Sequence, residues 1–499
     1  MNIEDIKSPL PPRKVNFDQV EKETVEEQPM MARQTEVVPQ PVPMETETPK
    51  KNTKIIFIIL GAVLVLILGI FLFLNFGNKK TNNIVTLNYW GLWEDESVMN
   101  SIIADFESKN PNIKIDYKKK QKDGYRGLLA GRLAKSGTTE DVPDIFRIHN
   151  TWIPMFKTYL STVPTQTVND IGLETDFFNV YKKDLKESNQ WMAVPLMYDG
   201  LAMFYNTDLL SKAGVDVPKD WWSLKKAAAK ITTRDSNGKI TTAGAALGET
   251  DNVDQWSDIV GLMMKQNGFV AMNIGTSANQ TKLKDVLSFY TLFKTSDKVW
   301  DETLPNSTQY FASGNLGFYF GPSWRILDIQ TLNPNLKFGV ATMPQLPTTS
   351  TVSTDAVNPN AELTDIHWST YWVEGVNNNS EHKTEAWKFL TYLSSAEVLE
   401  KMYQASSQVR SFGEIYPRKS MADKISSNSL LKPFVDTADK ADSWYLASNT
   451  WDNGVNTQMQ KYFSDAIGTV LGNSNSASDA MSTLTSGITQ LQKKYDLTK

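Results

Sequence analysis

The sequence contains no cysteine among its 499 residues. Disulfide bonds, metal sites built from thiolates, a cysteine nucleophile and lipid attachment through cysteine are therefore excluded. The absence does not fix the redox compartment, because a chain of this length can bury a large core without covalent cross-links. The length exceeds what one ordinary domain needs and is enough for two or three domains.

Histidine is scarce as well, and the short motifs of several enzyme classes are missing. The three histidines are His149, His367 and His382, and no two of them form a His-x-x-x-His pair. We therefore predict no metal site and no cofactor. The stretch 235–239 has glycine at its fourth position, where a calcium loop has it at the sixth, and Asn237-Gly238 predicts a hairpin turn. The sequence contains neither a phosphate-binding Gly-x-x-x-x-Gly-Lys-Ser/Thr loop nor a Gly-x-Ser-x-Gly elbow.

The chain has little excess charge of either sign. Its formal net charge is −5, and its one short basic run, at 118–122, is typical of a solvated strand end. We therefore predict no nucleic-acid partner. Tryptophan, in contrast, is abundant: all 14 lie after residue 81. Some of these indoles are expected to pack in cores and others to line a cleft.

Residues 1–53 do not have the pattern of a folded domain. They hold eight of the 22 prolines, many Glu, Thr and Gln residues, and no sustained helical or alternating period. Such a segment cannot bury enough apolar surface to offset the entropy lost on ordering. We predict a disordered, Pro/Glu-rich tail, with polyproline II favoured at 39–43.

A long apolar run follows the tail. Residues 55–74 include no charged or polar side chain, and at about 1.5 Å per residue they span a hydrocarbon core of ~30 Å. The run is too long for the apolar part of a signal peptide and has no small-x-small cleavage site after it. We predict a transmembrane helix at 54–76, acting as an uncleaved signal anchor, and a linker at 77–83. Three lysines before the run and two after it favour a cytoplasmic tail.

The rest of the chain, 84–499, has a mixed α/β pattern. Apolar residues alternate at 85–89, follow a helical period at 97–109, and alternate again at 113–117. A strand, a helix and a strand within about 30 residues predict a βαβ unit with a parallel sheet. Ligands of such sheets bind at the carboxyl ends of the strands. The loop after the first strand, 90–95, carries two tryptophans and two acids at that position.

Several weak motifs occur in a consistent order along this region. They include an aromatic loop after the first strand, a Pro-Asp-Ile strand, the run Ala193 to Leu210, and Gly-Pro-Ser-Trp at 321–324. The full set of segments is 87–93, 110–115, 143–146, 193–210, 221–224, 311–324, 339–344, 372–393 and 417–419. Nine such segments in order make a chance match improbable. In this order the region resembles the family 1 extracellular solute-binding proteins, which include maltose-binding protein.

The resemblance implies an α/β fold with two lobes, a ligand between them, and hinge closure. It places lobe 1 at about 84–197 and 342–403, and lobe 2 at about 200–340 and 404–499. The implied function is capture of a sugar or similar polar solute and its delivery to the permease subunits of an ABC importer, without enzymatic activity. One departure is clear: the family is secreted or anchored through a lipidated cysteine, whereas this chain has no cysteine. We therefore expect a single-pass membrane protein with an extracytoplasmic C-terminal domain.

Ligand-binding residues are expected on the loops and crossings that the resemblance identifies. Aromatic rings would cover the C–H faces of a sugar, and charged groups would bond its hydroxyls. The candidates are Trp90, Trp93, Glu94, Asp144, Arg147, Tyr198, Asp199, Trp256, Trp324, Trp372 and Arg410. Structural roles remain open for several of them: Asp199 as a hinge brace, Trp324 in a lobe core, and Arg410 in an ordinary ion pair.

Two other functions fit parts of the sequence. A ligand-sensing surface receptor without a transporter would explain a cytoplasmic tail, although that tail is short and has no enzymatic domain. A glycan-degrading enzyme would also use tryptophan platforms, but it needs two carboxylates about 5–9.5 Å apart. The adjacent acids Glu94 and Asp95 do not establish such a pair.

Overall fold

The computed structural model describes residues 84–135, 141–348, 362–472 and 477–497. The strands are β1 Val85–Gly91, β2 Ile113–Lys119, β3 Ile145–His149, β4 Lys186–Glu187, β5 Gln190–Trp191, β6 Val194–Pro195, β7 Ala202–Asn206, β8 Thr233–Arg234, β9 Ile240–Ala245, β10 Leu316–Gly321, β11 Phe338–Ala341, β12 His367–Trp368, β13 Trp372–Val376 and β14 Ala441–Asp442. The α-helices are α1 Glu96–Lys109, α2 Tyr125–Leu133, α3 Ile153–Phe156, α4 Thr165–Ile171, α5 Asn179–Asp184, α6 Thr207–Ala213, α7 Trp221–Ile231, α8 Trp256–Gln266, α9 Ser277–Thr295, α10 Ser307–Ala312, α11 Arg325–Leu332, α12 Lys383–Leu393, α13 Ala396–Ser406, α14 Lys432–Thr437, α15 Val455–Gly472 and α16 Ala477–Tyr495. Short 3-10 helices occur at Asn150–Trp152, Ala271–Asn273, Lys419–Lys424 and Ala438–Lys440.

The predicted tail (1–53), transmembrane helix (54–76) and linker (77–83) lie outside the described residues. Within the described ranges, no helix combines the length and the apolar character that a membrane crossing requires.

The predicted βαβ unit is confirmed at the start of the globular region. Strands β1 and β2 pair in parallel, with Leu87 opposite Ile115 and Tyr89 opposite Tyr117. Helix α1 joins them and buries Val98, Ile102 and Phe106 on one face. The apolar residues of β1 and β2 thus alternate with polar ones because one face of each strand is covered and the other is more exposed.

A five-stranded mixed sheet with the order β2-β1-β3-β13-β6 organises the first lobe. Strand β3 is parallel to β1, whereas β13 is antiparallel to both β3 and β6. All five residues of β3 and of β13 are buried. These central strands are continuously apolar apart from Arg147, His149 and Glu374, which need partners inside the protein.

A second five-stranded sheet, with the order β11-β7-β10-β9-β8, organises the second lobe. Strand β10 runs parallel to β9 and antiparallel to β7. The hairpin predicted at Asn237-Gly238 is confirmed: β8 and β9 are antiparallel, and Gly238 takes a left-handed φ of 81°. Helix α6 follows β7, is capped by the Asn206 side chain, and is followed by Gly214 at a left-handed φ of 61°.

The chain passes between the two sheets more than once. Strand β6 belongs to the first sheet and the next strand, β7, to the second. The chain returns from β11 of the second sheet to β13 of the first, with only the short β12 between them. The predicted two-lobe α/β fold is therefore confirmed. The exact lobe boundaries stay a prediction.

Candidate functional site

A cleft of about 440 Å³ lies between the lobes. It is lined by strand residues of the first sheet, by residues that follow β10 of the second sheet, and by connecting segments: Trp93, Lys122, His149, Met197, Asp199, Gln255, Pro322, Trp324, Arg325, Asp328, Thr370, Trp372, Arg410, Glu414, Ser448, Asn449 and Trp451. This volume is within the range of roughly 300–1,000 Å³ that is usual for small-molecule sites.

The strand order places the first-lobe part of this lining. Trp93 follows the carboxyl end of β1, and His149 ends the parallel strand β3. Trp372 begins the antiparallel strand β13 and lies opposite His149 in register. All three therefore meet at one edge of the first sheet, the edge at which α/β sheets bind ligands.

Indole rings form one wall of the cleft. The ring centroids of Trp93 and Trp372 are 5.3 Å apart at an interplanar angle of 77°. Trp451 lies 6.4 Å from Trp93, and its ring carries the Lys122 ammonium 4.0 Å from the centroid. Trp152 supports Trp372 from the core at 5.2 Å. Edge-to-face packing of this kind holds the rings in defined positions.

The cleft lining also includes another indole and two charged pairs. The guanidinium carbon of Arg325 lies 4.3 Å from the Trp324 ring centroid. Arg325 Nη1 donates to Asp328 Oδ2 at 2.9 Å, and Arg410 Nη2 donates to Glu414 Oε1 at 2.6 Å. Each pair presents planar, charged hydrogen-bonding groups, which suit a ligand with several hydroxyls.

Four buried N–H groups of the lining have no hydrogen-bond partner among the described residues. They are Gln255 Nε2, Asn449 Nδ2, Arg325 Nε and Arg410 Nε. A buried donor without a partner is costly, and such groups are rare in native proteins. All four line the cleft, so a ligand with hydrogen-bond acceptors could pair with them there.

His149 contributes to the cleft in its neutral form. Burial lowers the pKa of His149 to about 3, so the imidazole is uncharged at neutral pH. Its Nδ1 lies 2.8 Å from Thr151 Oγ1, and its Nε2 lies 3.0 Å from Thr370 Oγ1. Both ring nitrogens are therefore engaged by hydroxyls, and the ring supports Trp372 edge-on at 5.2 Å.

Asp199 lies in the segment that connects β6 to β7 and braces it against the second lobe. Its Oδ1 accepts from the backbone N–H groups of Gly200 and Ser323 at 2.8 and 2.9 Å. Its Oδ2 accepts from Ser323 Oγ at 3.0 Å. Burial raises the pKa of Asp199 to about 7, and the hydrogen bonds from Ser323 and Gly200 oppose that rise only in part. The residue thus combines a place in the cleft with a role at the crossing.

This raised pKa predicts a pH-dependent stability. The folded value lies above the ordinary value of 3.8, so the contribution of the protonated carboxyl is fully present below about pH 4 and is lost as the pH rises through 7. Asp199→Asn cannot ionise. Between about pH 5 and pH 8 the wild type should therefore lose on the order of 1–3 kcal/mol of unfolding free energy that Asp199→Asn keeps, because one pKa unit is about 1.4 kcal/mol. Urea unfolding at both pH values measures the difference.

The exposed hairpin carboxylate Asp235 offers a matched control. Its side chain accepts from the backbone N–H groups of Asn237 and Lys239. Asp235→Asn removes the same charge at a solvated position and should show no comparable change between the two pH values. The prediction would be contradicted if the free energies of unfolding of Asp199→Asn and wild type differed by the same amount at both pH values.

The cleft brings together five of the sequence-predicted site residues. They are Trp93, Asp199, Trp324, Trp372 and Arg410. The structural alternatives raised for Asp199 and Arg410 are also present, since Asp199 braces the crossing and Arg410 pairs with Glu414.

The other six predicted residues are not among the cleft-lining side chains. Glu94 and Arg147 lie in a buried ion network with Glu374. Asp144 accepts from the backbone N–H of Asn88 and from Ser380 Oγ. The remaining three are buried aromatic side chains: Trp90, Tyr198 and Trp256. Trp90 lies under the Lys120 ammonium, and Tyr198 packs edge-on against Phe178. Trp256 is the first residue of α8.

The sequence analysis did not identify Trp451 as a lining residue, nor the polar lining residues Gln255, Lys122 and Ser448. Trp451 is followed by Asp-Asn-Gly, a turn signal that marks a tryptophan placed on a loop. That combination could have identified it. Gln255, Lys122 and Ser448 carry no such local signal, because their place in the lining depends on contacts between distant segments.

Two α/β lobes with an aromatic, charge-lined cleft between them define a two-lobe binding protein. The chain belongs to the family of bacterial extracellular solute-binding proteins, whose sequence pattern matches residues 90–400. This confirms the resemblance predicted from the sequence.

Known proteins are similar to this chain in sequence or in fold. A putative binding protein of Brucella abortus (strain 2308) is 26% identical over 306 residues, which are 58% of this chain and 66% of that protein. An ABC transporter solute-binding protein from Thermotoga lettingae TMO, solved with alpha-D-tagatose, has a TM-score of 0.60 at 18% identity and covers 82% of this chain and 99% of its own. The sugar-binding protein MalE from Xanthomonas citri has a TM-score of 0.61 at 18% identity over 83% of this chain and 100% of its own.

Proposed function

We propose that this protein is a membrane-anchored extracellular solute-binding protein that captures a carbohydrate between its lobes and delivers it to an ABC importer. The observation that carries this proposal is the cleft itself. Its lining combines the indoles of Trp93, Trp372 and Trp451 with the charged pairs Arg325–Asp328 and Arg410–Glu414.

The chemistry of a sugar matches both kinds of surface. Its C–H faces are apolar and flat enough to pack on indole rings, while its hydroxyls donate and accept hydrogen bonds. Hydrogen bonds to charged groups contribute about 1.5–3 kcal/mol each. A wrong epimer leaves one of these groups unpaired, so the charged pairs would set specificity. Gln255 and Asn449 would donate to ligand oxygens through their unpartnered amide nitrogens.

The similar proteins support a carbohydrate ligand. The Thermotoga lettingae protein was solved with alpha-D-tagatose, and the Xanthomonas citri protein is described as sugar-binding. The proposed function is binding without catalysis: Asp328 and Glu414 are engaged in ion pairs with Arg325 and Arg410, and Asp199 accepts from Ser323. An assay of reducing-sugar release from glycans separates this function from that of a glycan-degrading enzyme.

The anchor in this proposal is the predicted transmembrane helix at 54–76, which contains the apolar run at 55–74. Its uninterrupted run of 20 uncharged residues is long enough to cross a bilayer. Residues 1–53 would then lie in the cytoplasm and the binding domain outside the cell. This arrangement would keep the binding domain close to the permease subunits.

A thermal-shift screen on the full-length protein tests the ligand class. A ligand at 100 times its Kd should add about 2.7 kcal/mol to the free energy of unfolding. The panel contains mono- and oligosaccharides, amino acids, short peptides and divalent metals. We expect a shift with a carbohydrate only. The carbohydrate proposal fails if no sugar moves the transition but an amino acid, a peptide or a metal does.

Fractionation and co-purification test the anchor and the partner. The full-length protein should remain in the membrane pellet after carbonate extraction and should co-purify with permease subunits. Release into the supernatant would contradict the anchor. A cytoplasmic partner in place of a permease would instead support a ligand-sensing receptor.

A further inference from the structure

We infer that residues 448–453 form a strap between the lobes that presents Trp451 to the ligand, and that Arg126 is the residue that positions it. This inference rests on the proposed binding function of the cleft and adds a positioning residue that lies outside the lining. Three independent observations carry it: the contacts at the two ends of the strap, its backbone conformation, and the surroundings of Trp451.

The strap is held by both lobes. At its start, the Ser448 backbone N–H donates to Asp258 Oδ2 at 2.9 Å, and Ser448 Oγ lies 2.6 Å from Ser257 Oγ. Both partners belong to α8, which follows β9 of the second sheet. At its end, Arg126 of α2 in the first lobe donates through Nε to the Asp452 carbonyl at 2.6 Å. The Nη2 of Arg126 donates to the Asn453 carbonyl at 3.1 Å.

The strap also has an unusual backbone. Asn449, Trp451 and Asn453 have φ angles of 56°, 49° and 43°, so three of five consecutive residues are left-handed without being glycine. Asparagine tolerates this region, but for a bulky side chain it is a genuine outlier. Trp451 is the one aromatic residue with a positive φ in the described parts of the chain. Strained backbone persists where the surroundings impose it, and such strain concentrates at ligand-binding sites.

The contacts around Trp451 show what imposes this conformation. Asp452, which is fully buried, accepts from the backbone N–H groups of Gly454, Asn456 and Thr457 and so fixes the start of α15. Arg126 holds the carbonyls of the two residues that follow Trp451. With both carbonyls fixed, the Trp451 ring lies beside Trp93 and under Lys122, within the cleft lining. Removing the Arg126 guanidinium frees the two carbonyls and lets the strap relax away from the ligand.

The test uses the full-length protein labelled with 5-fluorotryptophan, which gives one ¹⁹F resonance for each of the 14 tryptophans. Trp451→Phe identifies the Trp451 resonance. In Arg126→Gln we expect that resonance to move or broaden without ligand. We also expect affinity for whichever carbohydrate of the panel binds to fall on the order of tenfold, because two hydrogen bonds from a charged donor are lost. Arg126→Lys, which keeps a charged donor, should restore part of the affinity.

A neighbouring arginine is the matched control. Arg132 lies on the same helix as Arg126, and within the described residues it forms an ion pair with Asp141. Arg132→Gln should leave both the Trp451 resonance and the affinity unchanged. The inference is overturned if Arg126→Gln leaves the Trp451 resonance in place, or if ligand shifts other tryptophan resonances but not that of Trp451. If no carbohydrate binds the wild type, the proposed function fails, while the ligand-free resonance still decides whether Arg126 positions Trp451.

A pair of substitutions at Trp451 tests the strain without altering Arg126. Trp451→Ala and Trp451→Gly both remove the indole, but glycine accepts a left-handed φ without steric cost. We expect the glycine variant to be at least as stable as the alanine variant in urea unfolding, although glycine is normally the less stabilising residue. Both variants should bind the carbohydrate more weakly than wild type. A glycine variant clearly less stable than the alanine variant would show that the backbone at Trp451 is not strained.

Discussion

Arg147→Met is expected to lower the free energy of unfolding by about 3–5 kcal/mol, because it leaves two buried carboxylates without their cation. The side chains of Arg147, Glu94 and Glu374 are 1%, 3% and 0% exposed. Arg147 Nη1 donates to both oxygens of Glu94 at 2.8 and 2.6 Å, and its Nε donates to Glu374 Oε1 at 2.7 Å. Urea unfolding of the full-length protein at neutral pH measures the loss.

The position of this network explains why it matters for the cleft. Arg147 and Glu374 face each other in register on β3 and β13, and Glu94 immediately follows Trp93. The network therefore ties the loop that carries Trp93 to the centre of the first sheet. Tyr89 donates to Glu374 Oε1 at 2.9 Å, and Tyr117 donates to the Glu94 carbonyl at 2.9 Å. These bonds satisfy further polar groups in a region that water does not reach.

A triple substitution serves as the control for this prediction. Replacing all three charges, as in Arg147→Met with Glu94→Leu and Glu374→Met, removes the uncompensated carboxylates along with the cation. Apolar replacement of a whole buried ion network is often neutral or stabilising, so the triple variant should recover most of the stability. A single Arg147→Met variant that loses less than about 1 kcal/mol would contradict the predicted cost of an unpaired buried charge.

Trp93→Ala is expected to weaken carbohydrate binding by about 2–4 kcal/mol, the range of an interface hot spot. Trp93 is a partly buried ring that lies next to both Trp372 and Trp451. Its removal takes away stacking area and lets water into the centre of the aromatic wall. Isothermal titration with the carbohydrate identified by the thermal-shift panel measures the change in affinity.

Two variants separate this effect from a general loss of structure. Trp93→Phe keeps a ring at the same position and should retain part of the affinity. Trp191→Ala removes an indole outside the cleft, where its Nε1 donates to Glu174 Oε1 at 2.7 Å, and should reduce stability without reducing affinity. Unchanged binding in Trp93→Ala would remove Trp93 from the site.

Much of the fold could be predicted from local pattern. Period-two apolar residues identify β1 and β2, and the helical stripe at Val98, Ile102 and Phe106 identifies α1. Gly214 marks the end of α6, and Asn237-Gly238 marks a hairpin. Each of these signals depends on neighbouring residues, because backbone conformation and amphipathic period are local properties.

The cleft could be predicted only in part. Trp93, Trp324 and Trp372 line it as expected from their places after strands and crossings. Arg147 and Glu94 have the residue types of a sugar site, but the structure pairs them with Glu374, which is 227 residues further along the chain than Arg147. A charged side chain on a central strand gives no indication in the sequence of whether a ligand or another residue neutralises it.

The sequence by itself determined the composition limits, the first βαβ unit, the hairpin at Asn237-Gly238, the apolar run at 55–74, and the family. Tertiary structure alone decided which polar groups face the cleft and which neutralise each other in the core. It also brought Arg126 to the carbonyls of Asp452 and Asn453, more than 300 residues later in the chain. The physical reason is that local preferences act over a few residues, whereas burial and charge pairing depend on which distant segments become neighbours once the two sheets have formed.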